Sequence, residues 1–130
     1  MSVSSEIKEY LCSDNIKRNA CCTAAFNAGK DCAIFKEVCP SCRASFVAGV
    51  FVGCGTVTNP EKGFHLDMKV PRALAGRVAA ILDEEGLTPH ACSMQNGKVR
   101  LYYKVSALIS DFLTYIGAVK FALEVLETEV

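Results

Sequence analysis

The chain has 130 residues, of which 51% are hydrophobic, which suits one domain with a substantial core, or a domain preceded by an arm. Its 14 basic and 14 acidic residues balance, which argues against a protein that is basic over its whole surface but allows a local basic face. The N-terminus is charged from its first residues, unlike a secretory signal, and the apolar run at 44–54 is shorter than the roughly 20 residues that span a bilayer. We therefore expect a cytoplasmic protein that does not associate with membranes.

Three helices are predicted in the first part of the chain. Apolar residues recur at helical spacing, and glycine or proline marks the helix ends. The predicted helices comprise residues 4–12, 20–28 and 40–53.

The remainder of the chain alternates between strands and helices. Apolar and polar side chains alternate strictly at 64–70 and again at 98–105, which predicts two half-buried antiparallel strands. Asn96 and Gly97 are typical of a hairpin turn. From residue 40 onwards the predicted order is helix, strand, strand, helix, strand, strand, helix, at residues 40–53, 56–58, 64–70, 71–85, 88–95, 98–105 and 106–116. With a tail helix to about residue 126, this is an α+β fold: a four-stranded antiparallel sheet covered by helices and preceded by an N-terminal helical arm.

The third predicted helix contains two glycines, Gly49 and Gly53, which are four residues apart and so share one helix face. Glycine inside a helix costs about 1 kcal/mol relative to alanine. Close approach of a second helix would explain both glycines, although an ordinary buried helix is the alternative. The predicted helix-pairing interface consists of Phe46, Ala48, Gly49, Val52 and Gly53.

Eight cysteines are present, seven of them within the first 54 residues. Because no export signal is seen, reduced thiols or a metal are favoured over disulfides. Four thiolates can hold zinc, but the CxxC at Cys39 and Cys42 has no second CxxC or histidine pair beside it. We therefore predict no metal and no cofactor, with zinc as the alternative, on Cys21, Cys22, Cys39 and Cys42.

Residues 47–55, VAGVFVGCG, resemble the nine-residue LAGLIDADG motif. More narrowly, residues 42–70 and 109–130 resemble the LAGLIDADG portion of WhiA, a bacterial transcription regulator of sporulation and cell division with a homing-endonuclease-like fold. The resemblance covers residues 37–130, which we assign to a LAGLIDADG-like domain, with residues 1–36 as the arm. It implies a saddle of strands that faces DNA, and pairing of two such units through their motif helices.

The resemblance also implies that the chain is not an enzyme. In nuclease members an acidic residue near the end of the motif binds the catalytic divalent metal, but here Cys54 occupies that place and Val52 lies two positions earlier. A neutral thiol is a poor ligand for Mg²⁺, which prefers oxygen. We therefore predict no catalytic residues, and an active homing-type endonuclease is the least favoured interpretation.

The arm contains a short repeat of the motif region. Residues 21–29 match residues 41–49 at an offset of twenty, including Cys22 with Cys42 and two alanines, a phenylalanine and a glycine. We interpret residues 20–29 as the remnant of a first motif helix, the alternative being a chance match. Pairing is then either between this helix and residues 40–53 of one chain or between two chains in a homodimer.

The exposed face of the predicted strands is the candidate DNA contact. Its residues are Lys62, His65, Lys69, Lys98, Arg100, Tyr102 and Lys104. The predicted function is a non-catalytic WhiA-like regulatory domain that binds DNA through this face and pairs through the motif helix. The alternative is a protein–protein assembly module that binds another transcription regulator without contacting DNA.

Overall fold

A computed structural model describes residues 3–35, 39–58 and 64–128, with side chains to residue 126. The predicted turn at 59–63, which includes Lys62, lies outside the described residues. The elements, in chain order, are α1 (Val3–Cys12), α2 (Ala20–Lys30), α3 (Ser41–Cys54), β1 (Gly55–Thr58), β2 (His65–Pro71), α4 (Arg72–Glu84), β3 (His90–Ser93), β4 (Lys98–Tyr103), α5 (Ser106–Tyr115) and α6 (Val119–Thr128). The predicted α+β class and element order are confirmed.

The four strands form one antiparallel sheet in the order β1-β2-β4-β3. The two hairpins therefore join through β2 and β4, the strands with the strongest alternation in the sequence. In the centre of the sheet Leu66 lies opposite Tyr103, and Lys69 lies opposite Arg100. This register decides which polar side chains become neighbours on the outer face.

The turn predicted at Asn96 and Gly97 is confirmed, within a loop of three residues. Ser93 pairs with Val99, and the Met94 N–H donates to the Lys98 carbonyl at 2.9 Å, so residues 95–97 form the loop. Gly97 has φ +77°, the left-handed conformation that glycine adopts without a steric penalty. The third loop residue sets the β3–β4 register and brings His90 opposite Tyr102.

The inner face of the sheet is covered by α3, α4 and α5. The alternating apolar residues of β2 and β4 are buried there: Leu66, Met68, Val70, Leu101 and Tyr103. The Tyr103 hydroxyl donates to the Leu87 carbonyl, and burial raises the pKa of this phenol well above its usual value. The sheet and its helices thus share one apolar core.

Val105 departs from the prediction that it faces the core. Strand β4 ends at Tyr103, and Val105 is the N-cap of α5, where its side chain is 55% exposed. Ser106, predicted as the cap, is instead the first helical residue. Both predictions were wrong because the strand pattern was extended two residues beyond the last ladder pair.

Helix α1 is docked on the edge strand β1. The Ser4 hydroxyl accepts from the Val57 N–H at 2.5 Å and donates to the Val57 carbonyl at 2.9 Å. Ile7 and Leu11 on the same helix are fully buried in the common core. Among the described residues, no helix combines the length and the apolar character needed to cross a bilayer.

Candidate nucleic-acid interface

The outer face of the sheet carries the polar side chains of the two alternating strands. Antiparallel register aligns Thr56, Asp67, Tyr102 and His90 in one row across all four strands. Lys69 and Arg100 are neighbours in the next row. The predicted DNA-contact residues of β2 and β4 are therefore brought together on one surface, while Lys62 lies outside the described residues.

Arg100 is held by a neighbouring carboxylate. Its Nε donates to Asp67 Oδ2 at 3.1 Å, and the two side chains are only 34% and 20% exposed. The Arg100 guanidinium also lies 4.4 Å from the centre of the Tyr102 ring. A phosphate that approached Arg100 would therefore compete with Asp67, which reduces the contribution of this arginine to anion binding.

Tyr102 lies at the centre of the outer face. Its ring stacks on His90, with 5.2 Å between ring centroids and an angle of 30° between ring planes. Lys104 Nζ lies 5.6 Å from the same ring. This arrangement of cations around an aromatic ring can contact both the phosphates and the sugars or bases of a nucleic acid.

The remaining cations of the outer face are exposed. Lys69, Lys98 and Lys104 are open to solvent, and His65 is half-buried. Four cations, the three lysines and Arg100, face the one carboxylate of Asp67, which leaves three net positive charges on the described outer face. The face is thus basic although the whole chain has no net charge.

Helices α2 and α3 pack in direct backbone contact. A Cβ added to Gly49 would overlap the Phe26 carbonyl oxygen, and a Cβ on Gly53 would overlap that of Lys30. Of the five residues predicted for this interface, Phe46, Ala48 and Gly49 are buried, Val52 is half-buried and Gly53 is solvent-exposed. The partner helix of Gly49 therefore belongs to the same chain.

The thiol at the end of helix α3 is in contact with another thiol. Cys54 Sγ, at the end of α3, lies 2.7 Å from Cys32 Sγ, and Cys32 has φ +53°. Burial and the contact with Cys32 raise the pKa of Cys54 to about 12, so the thiol is neutral at pH 7. The Cys32–Cys54 contact was not predicted, and no local pattern around Cys32 indicates it.

Four further cysteines meet where α2 and α3 begin. The sulfur atoms of Cys21, Cys22, Cys39 and Cys42 all lie within 4.8 Å of one another. Hydrogen bonds from the Cys42 and Cys21 thiols lower the pKa of Cys39 to about 7. These four cysteines are the alternative zinc site predicted from the sequence. Cys21 and Cys22 are adjacent in sequence rather than spaced as a second CxxC, and they reach Cys39 and Cys42 only through helix packing.

Two other neighbours on the outer face were also absent from the prediction, Asp67 as the partner of Arg100 and His90 as the partner of Tyr102. The alternation of apolar and polar residues placed Asp67 and Arg100 on the same face of the sheet. The register between β2 and β4, which belong to different hairpins, could not be predicted from local sequence pattern. The hairpin turn before β4 was the signal that could have placed His90 beside Tyr102.

The chain is similar to known proteins in both sequence and structure. Curated relatives named probable cell division protein WhiA include one from Moorella thermoacetica (strain ATCC 39073 / JCM 9320), 34% identical over 80 residues, and one from Clostridium novyi (strain NT), 33% identical over 79 residues. These matches cover 61% and 60% of this chain, respectively, but only 25% of the length of each relative.

Two crystal structures share the fold. The N-terminal LAGLIDADG domain of WhiA matches with a TM-score of 0.70 over 89% of this chain and 92% of that chain. Full-length WhiA from Thermatoga maritima matches with a TM-score of 0.73 over 100% of this chain and 68% of that chain. Both are 18% identical to this chain. The family model of the WhiA LAGLIDADG-like domain matches residues 43–130, well over half of the sequence, and the chain therefore belongs to that family.

Proposed function

We propose that this chain is a non-catalytic, WhiA-like regulatory domain that contacts DNA through the outer face of its sheet. The observation that carries the proposal is the group of exposed lysines, Lys69, Lys98 and Lys104, on the same face as the stacked Tyr102 and His90 rings. Among the described residues, α3, α4 and α5 pack against the opposite face of the sheet, and the three lysines of this face are exposed.

Phosphate contacts from lysine provide affinity that depends steeply on salt and carries little sequence information. Three such contacts give a slope of log affinity against log salt of about −3, since each contributes about −0.9 on duplex DNA. Tyr102 adds a ring that can lie against a sugar or base. We expect weak binding to many duplex sequences, with sequence choice supplied elsewhere.

The absence of cleavage in this proposal follows from the end of α3. Cys54 presents a neutral, half-buried thiol where a nuclease needs a carboxylate, and hard divalent cations require oxygen ligands. Asp67, the only carboxylate on the described outer face, already accepts a hydrogen bond from Arg100. A regulatory role is consistent with a DNA-binding face that lacks a carboxylate to hold the catalytic metal. We propose that the chain has this role in the cytoplasm.

Pairing through the glycine helix is intramolecular in this proposal. Gly49 and Gly53 already lie against α2, so the contact that two LAGLIDADG units would make is formed within one chain. DNA binding then requires no second copy.

The test is fluorescence anisotropy of a labelled duplex titrated with the full chain over a range of salt concentrations. The variant Lys69→Glu, Lys98→Glu, Lys104→Glu is expected to lose binding at every salt concentration. The control Lys17→Glu, Lys30→Glu, Lys120→Glu makes the same change in net charge away from the outer face and is expected to keep the wild-type slope. Equal losses in both variants, or no binding by the wild type at low salt, would overturn the DNA proposal; plasmid cleavage with Mg²⁺ would overturn its non-catalytic part.

A second candidate function, an assembly module, is favoured by α6. Val119, Leu123 and Leu126 are 49%, 57% and 47% exposed and lie at helical spacing on one face. Such a stripe can pack against an apolar surface of another protein molecule, including a second copy of this chain. If DNA binding is absent, light scattering that shows self-association of the wild type, and its loss in Leu123→Lys, would support assembly through α6.

A further inference from the structure

The cysteine cluster has the dimensions of a tetrahedral metal site. Cys39 Sγ lies 3.3 Å from Cys21 Sγ, 3.6 Å from Cys22 Sγ and 3.2 Å from Cys42 Sγ. Four sulfurs at the Zn–S distance of about 2.3 Å from one ion are about 3.8 Å apart at the corners of a tetrahedron. The three distances from Cys39 are shorter than this, and no two of the four sulfurs are more than 4.8 Å apart, so shifts of about 1 Å would let the thiols surround a zinc ion.

These separations do not correspond to disulfide bonds. A disulfide joins two sulfurs at about 2.05 Å, and the three distances from Cys39 Sγ all exceed that by more than 1 Å. All four cysteines are free thiols. Within the described part of the chain, this is the one group of three or more potential ligands that could hold a metal ion.

The backbone around the cluster favours negative charge. Cys21 and Cys22 lie in the first turn of α2, and Cys42 lies in the first turn of α3. Asn19 fixes the start of α2, because its side chain accepts from the Cys22 N–H at 2.8 Å. The N-termini of two helices, which carry the positive ends of the helix dipoles, thus lie beside the cluster and would stabilise thiolates there.

We propose that Cys21, Cys22, Cys39 and Cys42 bind one Zn²⁺ ion that joins the start of α2 to the start of α3. Binding releases the four thiol protons to solvent and forms a tetrathiolate complex with a net charge of −2. Because all four positions are taken by protein ligands, the site is structural rather than catalytic. Thiolate sulfur is the ligand type that selects zinc over Mg²⁺ or Ca²⁺.

The burial pattern supports a loaded structural site. Cys22 and Cys42 are 4% and 0% exposed, whereas Cys21 and Cys39 are half-buried, so the cluster lies in the core at one side and reaches solvent at the other. The ion can therefore enter from solvent. Once bound, it ties the start of α2 to the start of α3, at the end of the helix pair opposite the Cys32–Cys54 contact.

The first test uses the wild-type chain, purified under reducing conditions without added metal. Elemental analysis and native mass spectrometry are expected to find one zinc per chain. Replacement by Co²⁺ is expected to produce sulfur-to-cobalt charge-transfer bands and the strong visible absorption of tetrahedral cobalt. Protein that is folded and reduced but metal-free, and that takes up neither ion, would overturn the proposal. So would stoichiometric iron in place of zinc, or disulfides among these cysteines.

The second test identifies the ligands. Cys21→Ser and Cys39→Ser change half-buried positions and are each expected to lose the bound zinc on dialysis against a chelator that leaves the wild type loaded. Cys12→Ser and Cys92→Ser change exposed cysteines outside the cluster, and Cys32→Ser changes the thiol pair at the other end of the helices; all three are expected to retain one zinc. Retention of zinc by both cluster variants, or its equal loss from the controls, would contradict the assignment.

Discussion

Gly29 and Gly49 are pressed reciprocally against each other's helices. A Cβ on Gly29 would overlap the Phe46 carbonyl oxygen, and a Cβ on Gly49 would overlap the Phe26 carbonyl oxygen. Both the glycines and the phenylalanines are twenty residues apart in sequence, so the repeat read from the sequence is also a repeat in the packing. Helices α2 and α3 thus contact each other through backbone atoms on both sides, at equivalent positions of the repeat.

Gly49→Ala is expected to lower the free energy of unfolding by about 1–3 kcal/mol, because the added methyl group forces the two helix backbones apart. Gly29→Ala should behave alike, since its nearest neighbours are also backbone atoms. Urea unfolding followed by circular dichroism measures the change.

Gly76→Ala is the matched control for these two variants. Gly76 lies inside α4 with no atom within 4 Å of an added Cβ, so alanine should raise stability there by about 0.5–1 kcal/mol. If all three variants shift the unfolding midpoint in the same direction, close helix packing is not the reason for the glycines.

Asp67→Asn is expected to strengthen DNA binding. In the wild type the Arg100 guanidinium donates to Asp67 Oδ2. Removal of this carboxylate leaves the guanidinium free to contact a phosphate. One added contact makes the salt slope more negative by about 0.9. The measurement is the same anisotropy titration, performed on both proteins.

The control for Asp67→Asn is Asp111→Asn, which makes an equal charge change on an exposed position of α5. We expect the slope of this variant to remain that of the wild type. An identical gain in the two variants would mean that net charge, and not the Asp67–Arg100 pair, controls binding.

Ser4→Ala is expected to reduce stability by about 1–3 kcal/mol, because the buried Val57 N–H loses its hydrogen-bond acceptor. Ser93→Ala, on the exposed strand β3, should change stability by less than about 0.5 kcal/mol. Thermal or urea unfolding compares them. Equal effects would show that the α1 contact with β1 contributes nothing specific.

Cys54 is expected to resist alkylation by iodoacetamide at pH 8. Its pKa is raised to about 12, so the reactive thiolate is scarce until the pH approaches that value. The exposed thiols Cys12 and Cys92 are expected to react before Cys54. Peptide mass mapping after timed labelling provides the measurement, and labelling of Cys54 as fast as Cys92 at pH 8 would contradict a neutral thiol at the end of α3.

Local sequence pattern was sufficient for the order of the elements and, except at Val105, for the two faces of strands β2 and β4. The alternation at 64–70 and 98–105, the Asn96–Gly97 turn and the helical spacing after Pro71 each depend on residues that are close in the chain, and the sheet and helices follow them. The same pattern placed Lys69, Arg100 and Tyr102 on one face. The motif at 47–55 indicated the family, which the family model confirms.

Tertiary structure decided what those faces contact. Asp67 and Arg100 are separated by 33 positions in the sequence. Cys32 and Cys54 are separated by 22 positions, and Cys21 and Cys39 by 18. Local periodicity in the sequence cannot predict these three contacts, because each of them depends on strand register or on how one helix packs against another. For the same reason the sequence alone did not place Gly49 against the Phe26 backbone, a contact that depends on how α2 packs on α3.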